Sequence, residues 1–458
     1  MNLRALIYSN PLSVDKIGKS FQYWKDSGFI YTKHLVKNLP KGWRFYWCIP
    51  DKIKDVSWFT EANENVEIVP YPYSTSIHQN RYNFSVNTLS KYFSYGNDID
   101  LIINNQPEVS ANLRVWGYNQ RRESPLIFSY YHWIDCEESQ AFGADLSGYS
   151  TRQADGAKAS DWLLFHNDYA YWMFMREANK VMSLDYTREF WDKYFSFTPP
   201  ATVFDPLPFE GGYYDTKIIL FNHRLNKTTN WKEVVKTLDE IYKDRQDFML
   251  WVTDDGKMKE FEYLRERNYI KVQSLSDGEY GQILKQSHFS ICNHEGYSTW
   301  NMAVIDSLIN GCLALIPRRE VYRTMFKEPI GKFGEEFTHS GDLKEQIIKL
   351  LDNTKEKNVE LAKRVVDSCP WMSKFNDSND LRIIAEGQVE YDAEKTPSKY
   401  EKVLEFIRER GSASKKEWAN EFWSFHVNSN FPLIRKKLLM ESDIVDDTSQ
   451  SETVYKIR

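Results

Sequence analysis

Three stretches of this chain place chemically useful residue types where an apolar run ends. The first is Asn222-His223-Arg224-Leu225-Asn226-Lys227, which follows Lys217–Phe221 and precedes a helix starting near Asn230. An arginine offers a fork to two phosphate oxygens, and a lysine a compact charge. Arg224 and Lys227 are therefore candidate phosphate ligands, against the alternative of two solvated loop charges. The second stretch is Asn293-His294-Glu295-Gly296, followed by Ser298, Thr299 and, one helix further on, Asp306. Hydroxyls and backbone N–H groups at a helix start either cap it or bind phosphate, and both roles are open for Ser298 and Thr299. The third is His132 and Asp135, after Leu126–Tyr131. Either can act as a general base or serve as the polar cap of a loop.

The elements that must hold these residues are short and apolar. Arg4–Ser9, Phe45–Ile49, Val66–Val69, Ile99–Ile103, Leu126–Tyr131 and Asp161–His166 read as strands, with Thr202–Asp205 closing the series. Lys217–Phe221, Phe248–Thr253, Ile270–Val272, His288–Cys292 and Cys312–Ile316 form a second series. Helical patterns alternate with them: Phe29–Leu39 after Gly28, Asp277–Gln286, and Thr299–Asn310 stopped by Gly311. Buried strands alternating with helices predict a parallel sheet covered on both faces. Ligands of such sheets sit at the carboxyl ends of strands beside helix N-termini, where all three stretches fall. The Pro- and Gly-bearing stretch from Leu207 to Tyr214 reads as a linker between two such units. Helical, amphipathic chain follows at Lys344–Lys363 and Pro370–Phe375.

Composition narrows the class. The net charge of −6 excludes a chain coated in basic residues. Five scattered cysteines without a CxxC pair point to a reducing compartment and no zinc site. No apolar run reaches membrane-spanning length, and MNLRALIYSN enters a strand directly, too short and polar for a signal peptide. The expectation is a soluble, intracellular protein with no membrane partner. Tyr and Trp are abundant, as in sites that stack sugars or bases, and also as in aromatic cores.

Residues 270–319 resemble the nucleotide-sugar half of glycosyltransferases with the GT-B fold. Glu295-Gly296-Tyr297 matches that family's Glu-Gly-aromatic loop, Asp306 its helical acid and Gly311 its helix end. Ten residues separate Glu295 from Asp306, more than the family commonly has. Arg224 and Lys227 fall where many GT-B enzymes carry an Arg and a Lys. The resemblance covers roughly residues 1–390 and implies an α/β fold with two Rossmann-like domains facing a cleft. An acceptor domain would span 1–207 and a nucleotide-sugar domain with crossover helices 208–390. It implies donor binding by Arg224, Lys227, His294, Glu295, Gly296, Ser298, Thr299 and Asp306. Of the two acids, one would take ribose hydroxyls and the other face the transferred sugar. Catalysis would fall to His132 and Asp135. The donor would be a UDP-sugar co-substrate, with no other cofactor. No DxD-like motif ends a strand, Asp254-Asp255 being a weak exception, so the resemblance implies cations rather than a metal at the leaving group.

Beyond residue 390 the character changes. Lys399–Arg410 is an amphipathic helix ended by Gly411, Ser414–Trp423 a second with Ser414 as its cap, and Asn430-Phe431-Pro432 opens a third carrying Arg435, Lys436 and Lys437. Ile444–Val445 and Thr453–Ile457 can pair as a hairpin. Residues 398–458 thus resemble a winged-helix module. Lys399–Met440 holds nine Lys or Arg against five Glu, which suits phosphate contacts in a DNA groove, although such modules also dock proteins. A sugar transferase with such a tail is similar to the bacteriophage enzymes that glycosylate hydroxymethylated DNA bases such as 5-hydroxymethylcytosine. That resemblance implies double-stranded DNA with hydroxymethylated bases as partner and the host cytoplasm as location. It also implies a base taken out of the stack, with Tyr130, Tyr131 and Trp133 near it. Two alternatives remain: a transferase acting on a modified tRNA base, a glycan or a small metabolite, and a catalytically dead scaffold that binds nucleic acid.

Overall fold

The structure is a computed structural model. It describes residues 3–9, 27–72, 84–93, 99–120, 125–136, 149–196, 216–253, 258–294, 298–326, 337–369, 381, 405, 407–410, 412–414, 444–447 and 454–457. By contacts the chain divides into two units. One comprises Met1–Glu137, Asp145–Pro199 and Asn376–Arg458, the other Glu138–Ala144 and Pro200–Phe375.

The first unit is built on seven parallel strands: β1 (Arg4–Tyr8), β2 (Arg44–Pro50), β3 (Val66–Tyr71), β4 (Leu101–Asn104), β5 (Leu126–Tyr131), β6 (Trp162–Phe165) and β7 (Tyr194–Ser196). Their order is β3-β2-β1-β4-β5-β6-β7. The chain starts mid-sheet, builds outward to β3, then returns to pair β4 on the other side of β1. This reversal is the switch point of a doubly wound sheet. The central strands are buried almost throughout because helices cover both faces. The described helices of more than one turn are α1 (Ser27–Asn38), α2 (Val86–Tyr92), α3 (Ser110–Gln120), α4 (Tyr149–Ala159), α5 (Asp168–Val181) and α6 (Leu184–Asp192). One core joins Leu6 and Ile102 of the sheet to Leu89 of α2 and Leu113 and Trp116 of α3.

One strand of this sheet was not expected from the sequence. β7 is the three-residue Tyr194–Ser196, parallel to β6, whereas Thr202–Asp205 lies outside the described residues. Three residues directly after a helix carry too little period-2 signal to stand out.

The second unit repeats the plan with six parallel strands: β8 (Lys217–Phe221), β9 (Phe248–Val252), β10 (Ile270–Val272), β11 (Phe289–Ile291), β12 (Leu313–Pro317) and β13 (Thr338–His339). Their order is β10-β9-β8-β11-β12-β13, so the switch point lies between β8 and β11. Between them run α7 (Trp231–Tyr242), α8 (Met258–Arg265), α9 (Asp277–Gln286), α10 (Met302–Ile309) and α11 (Glu320–Met325), with α12 (Leu343–Asp352) and α13 (Lys355–Ser368) after β13. Ile283 and Leu284 of α9 pack on Ile218, Leu220 and Trp251. Gly311 ends α10 at φ 74. Its N–H donates to Leu308 O (3.0 Å) and that of Cys312 to Ser307 O (2.8 Å), the paired bonds of a Schellman cap. The helix expected across Lys344–Lys363 is two, broken at Asn353 because Thr354 caps α13 by accepting from the Lys357 N–H.

In the tail, residues 407–410 are helical, as expected. Ser412–Ser414 form a short strand, β14, that the sequence did not suggest, and the helix expected from Ser414 to Trp423 lies, beyond Ser414 itself, outside the described residues. β15 (Ile444–Asp447) and β16 (Val454–Ile457) form the expected antiparallel pair, and β14 joins β16 on its other edge. Sheet pairing overrides the weak local preference of Ser-Ala-Ser. Arg435, Lys436 and Lys437 lie outside the described residues.

Candidate functional site

In the second unit, the loops that leave β8 and β11 flank the switch point. Asn222, the first residue past β8, is the hub. Its amide Nδ2 shares its two protons among Tyr280 Oη of α9 (2.9 Å) and Ala303 O (3.1 Å) and Ser307 Oγ (3.2 Å) of α10. Tyr280 Oη in turn donates to Asp306 Oδ2 at 3.2 Å. Burial, and then the Asp306 charge, push the Tyr280 phenol well above its ordinary range, so it remains a donor. Asp306 is itself buried, with its carboxylate fixed by that phenol. The chain Asn222–Tyr280–Asp306 ties the first loop to two helices of one sheet face. Asn222 Oδ1 is buried and has no hydrogen-bond partner among the described residues.

Arg224 and Lys227 sit on the same loop with exposed side chains. The backbone beneath them is fixed by its own hydrogen bonds. Asn226 caps the single turn Lys227–Thr229 by accepting from the Thr229 N–H (3.1 Å). The Thr229 hydroxyl shares its one proton between Arg224 O at 2.8 Å and Asn226 O at 3.0 Å. Two cations are thereby held on a short, self-bonded loop. His223, between them and the hub, is lowered to about 3 by burial and by the neighbouring His294. It is a neutral imidazole at physiological pH. His294 is partly buried. Glu295 and Gly296 lie outside the described residues.

The start of α10 corrects a sequence expectation. Ser298 and Thr299 precede the helix: Ser298 Oγ donates to Trp300 O at 2.8 Å, and Thr299 is buried. Asn301 is the cap, its side chain accepting from the Val304 N–H (3.3 Å) while its Nδ2 donates to Tyr322 Oη (3.1 Å). An Asn competes well with Ser and Thr for this role, and here it is also tied into the core.

In the first unit, His132 follows β5, with its ring 5.6 Å from that of Tyr130. Tyr130 stacks on Tyr31 (4.3 Å) and meets His166 edge-on (5.1 Å). Burial, reinforced by His132, holds His166 well below its ordinary range, so it is neutral. Asp135 is fully buried. Its Oδ2 accepts from the Ser150 N–H at the start of α4, and its own N–H donates to Gln153 Oε1. Tyr130 and Tyr131 are core residues. Tyr131 stacks on Phe165, and its hydroxyl donates to Gln153 O. Of the three aromatics considered for a base, Trp133 alone keeps accessible surface.

Sequence reasoning missed Tyr280 and Glu233. A tyrosine on an amphipathic helix reads as core, and a glutamate in a first turn reads as a partner for the helix dipole. Only the network reveals their second roles. Among the described residues no group of three His, Cys, Asp or Glu is placed to hold a metal, and no helix is long and apolar enough to cross a membrane.

No family model matches the chain, and no curated protein matches it in sequence. Solved structures do. HepE of Anabaena in complex with UDP and glucose superposes with a TM-score of 0.58 at 10% identity, covering 85% of this chain and 100% of that one. Sucrose-phosphate synthase from Thermosynechococcus elongatus gives 0.54 at 13% identity, over 85% and 98%. The N-terminal domain of Candida albicans trehalose-6-phosphate phosphatase gives 0.58 at 13%, over 85% and 97%. The shared architecture is the GT-B fold, and this chain has it. The two Rossmann-like units expected from the sequence are those of that fold.

Proposed function

We propose that the protein is a glycosyltransferase that moves a sugar from a UDP-sugar to the hydroxymethyl group of a modified DNA base, 5-hydroxymethylcytosine. The observation that carries the transferase assignment is the arrangement at the second switch point. The braced loop that carries two cations also carries Asn222, which bonds to the Tyr280 that fixes the Asp306 carboxylate. Uridine as the nucleotide is supported by the HepE structures, which hold UDP and UDP-glucose.

Each residue then has a task. Arg224 and Lys227 bind the two phosphates and meet the negative charge that grows on them as the sugar leaves. Asp306, oriented by Tyr280, accepts from ribose hydroxyls. His294 and Glu295 face the transferred sugar, with Gly296, Ser298 and Thr299 lining its phosphate end. The acceptor oxygen bonds to the anomeric carbon as the bond from that carbon to the UDP oxygen breaks. The hydroxyl proton passes to His132 or to the departing phosphate oxygen.

DNA as acceptor is supported by the tail. A helix, a short strand, a basic stretch holding Arg435, Lys436 and Lys437, and a closing hairpin follow one another in winged-helix order. Such a reaction belongs in a host cell's cytoplasm. The test is to incubate the protein with hydroxymethylcytosine DNA and a panel of UDP-sugars, then weigh the digested nucleosides. A hexose or pentose increment is expected, and Arg224→Ala should abolish it. No increment with any donor, while UDP binds, would overturn the DNA acceptor and direct the search to tRNA and small acceptors.

A further inference from the structure

We propose that Glu233 is the positioning residue that locks the two donor loops of the second unit into one geometry. This rests on the transferase assignment above and extends it to a residue with no place in the sequence analysis.

The side chain lies in the first turn of α7, three residues past Asn230. Asn230 has φ 47 and ψ 34, and it is the one non-glycine residue with positive φ among those described. Asparagine tolerates this left-handed conformation better than most residues, but such strain persists only where surroundings impose it. Here it turns the chain from the Lys227–Thr229 turn, which carries Lys227, directly into α7. Glu233 Oε2 accepts from Asn230 Nδ2, holding the left-handed residue from its side chain. The same oxygen accepts from Asn293 Nδ2 at 3.1 Å. Asn293 is buried and immediately precedes His294.

One carboxylate oxygen therefore joins the end of the Arg224–Lys227 loop to the start of the His294–Gly296 loop. The Asn222 hub ties the first loop to α9 and α10, but it does not reach Asn293. Without Glu233, each loop keeps its own internal bonds while the link between them goes. Because both amides need only an acceptor, a glutamine supplies the same oxygen and should preserve the link.

The test uses the full chain. Free protein is followed by hydrogen–deuterium exchange, and UDP affinity by calorimetry, for wild type, Glu233→Ala, Glu233→Gln and Asn230→Gly. Asn230→Gly keeps the backbone conformation and removes the amide. Glu233→Ala is expected to speed exchange in residues 222–230 and 292–294 together, and to weaken UDP binding about tenfold, the loss of roughly one hydrogen bond. Asn230→Gly should speed exchange in the first loop and weaken UDP several-fold. Glu233→Gln should match wild type in both measurements. Equal exchange in wild type and Glu233→Ala, a response in one loop alone, or a glutamine variant as impaired as the alanine one would overturn the link. Absence of UDP binding by the wild type would instead count against the transferase assignment, and the exchange pattern would still decide the role of Glu233.

Discussion

The Asp135 carboxylate accepts from the backbone N–H of Ser150 at 2.9 Å, so a fully buried acid fastens the segment after β5 to the first turn of α4. A negative charge at a helix N-terminus satisfies an orphan donor and favours the dipole. That geometry predicts a structural debt to Asp135. Asp135→Ala should lower stability by about 1–2 kcal/mol in urea denaturation, since it removes the acceptor of a half-buried N–H at the helix start. Asp135→Asn, which keeps an acceptor, should recover most of the loss. A catalytic base would behave in the opposite way, with the Asn variant stable but inactive, and that result would return Asp135 to the reaction.

The same helix supplies a second prediction, at Gly156. A Cβ there would lie 1.9 Å from Pro107 O and 2.8 Å from Pro107 C, both backbone atoms. The turn Pro107–Val109 and α4 are in contact along this line, and no rotamer change relieves the clash. Gly156→Ala should therefore destabilise the first unit by about 2–3 kcal/mol or more, against a typical overpacking cost of about 1–3 kcal/mol. A midpoint equal to wild type in urea would show that α4 can shift. Because Gln153 on α4 braces Asp135 and Trp133, the folded fraction of the variant should also lose activity.

How much of this was written in the sequence varies by element. β5, β10 and α9 have the bounds their residues predict, because each is an apolar run or amphipathic pattern bracketed by polar turn residues. Gly311 was legible for the same reason: a glycine after a periodic run ends helices. The Asn301 cap was not, since Ser298 and Thr299 offer the same local signal and only the contact with Tyr322 selects the later residue. β7 and β14 are three-residue strands fixed by their neighbours in the sheet. The donor site was half legible. Arg224, Lys227 and Asp306 announce themselves by type and position, while Tyr280 and Glu233 act through partners 26 and 60 residues away.

Stability should fall on the acid side through buried histidines. His223 is lowered to about 3, and His166, His288 and His339 are lowered as well, in each case chiefly by burial. In the unfolded chain these groups titrate near the ordinary value of about 6.5. Below that pH the unfolded state binds protons the folded state refuses, so unfolding is favoured and stability drops as pH falls. For His223 the window runs from about 6.5 down to about 3, with a limiting slope of about 1.4 kcal/mol per pH unit. Urea midpoints from pH 8 to pH 4 should decline, and His223→Gln should make the decline shallower. An unchanged slope in that variant would mean that His223 is protonated in the folded protein.

The last prediction concerns the tail and separates a DNA acceptor from a small one. If Arg435, Lys436 and Lys437 contact phosphates, each contact releases condensed counterions, and the logarithm of the binding constant falls with the logarithm of salt by about 0.9 per contact. Replacing all three with alanine should then flatten the salt dependence of duplex binding by up to about 2.7. Binding of UDP should be unaffected, because the donor loops belong to the other unit. Removing residues 398–458 should abolish binding to duplex DNA and leave turnover of a free hydroxymethylated nucleoside. An unaltered salt slope in the triple variant would place the DNA contacts elsewhere. Loss of nucleoside turnover on deletion would make the tail part of the catalytic fold: DNA-binding appendages are dispensable for chemistry on a small acceptor, whereas packed elements of a domain are not.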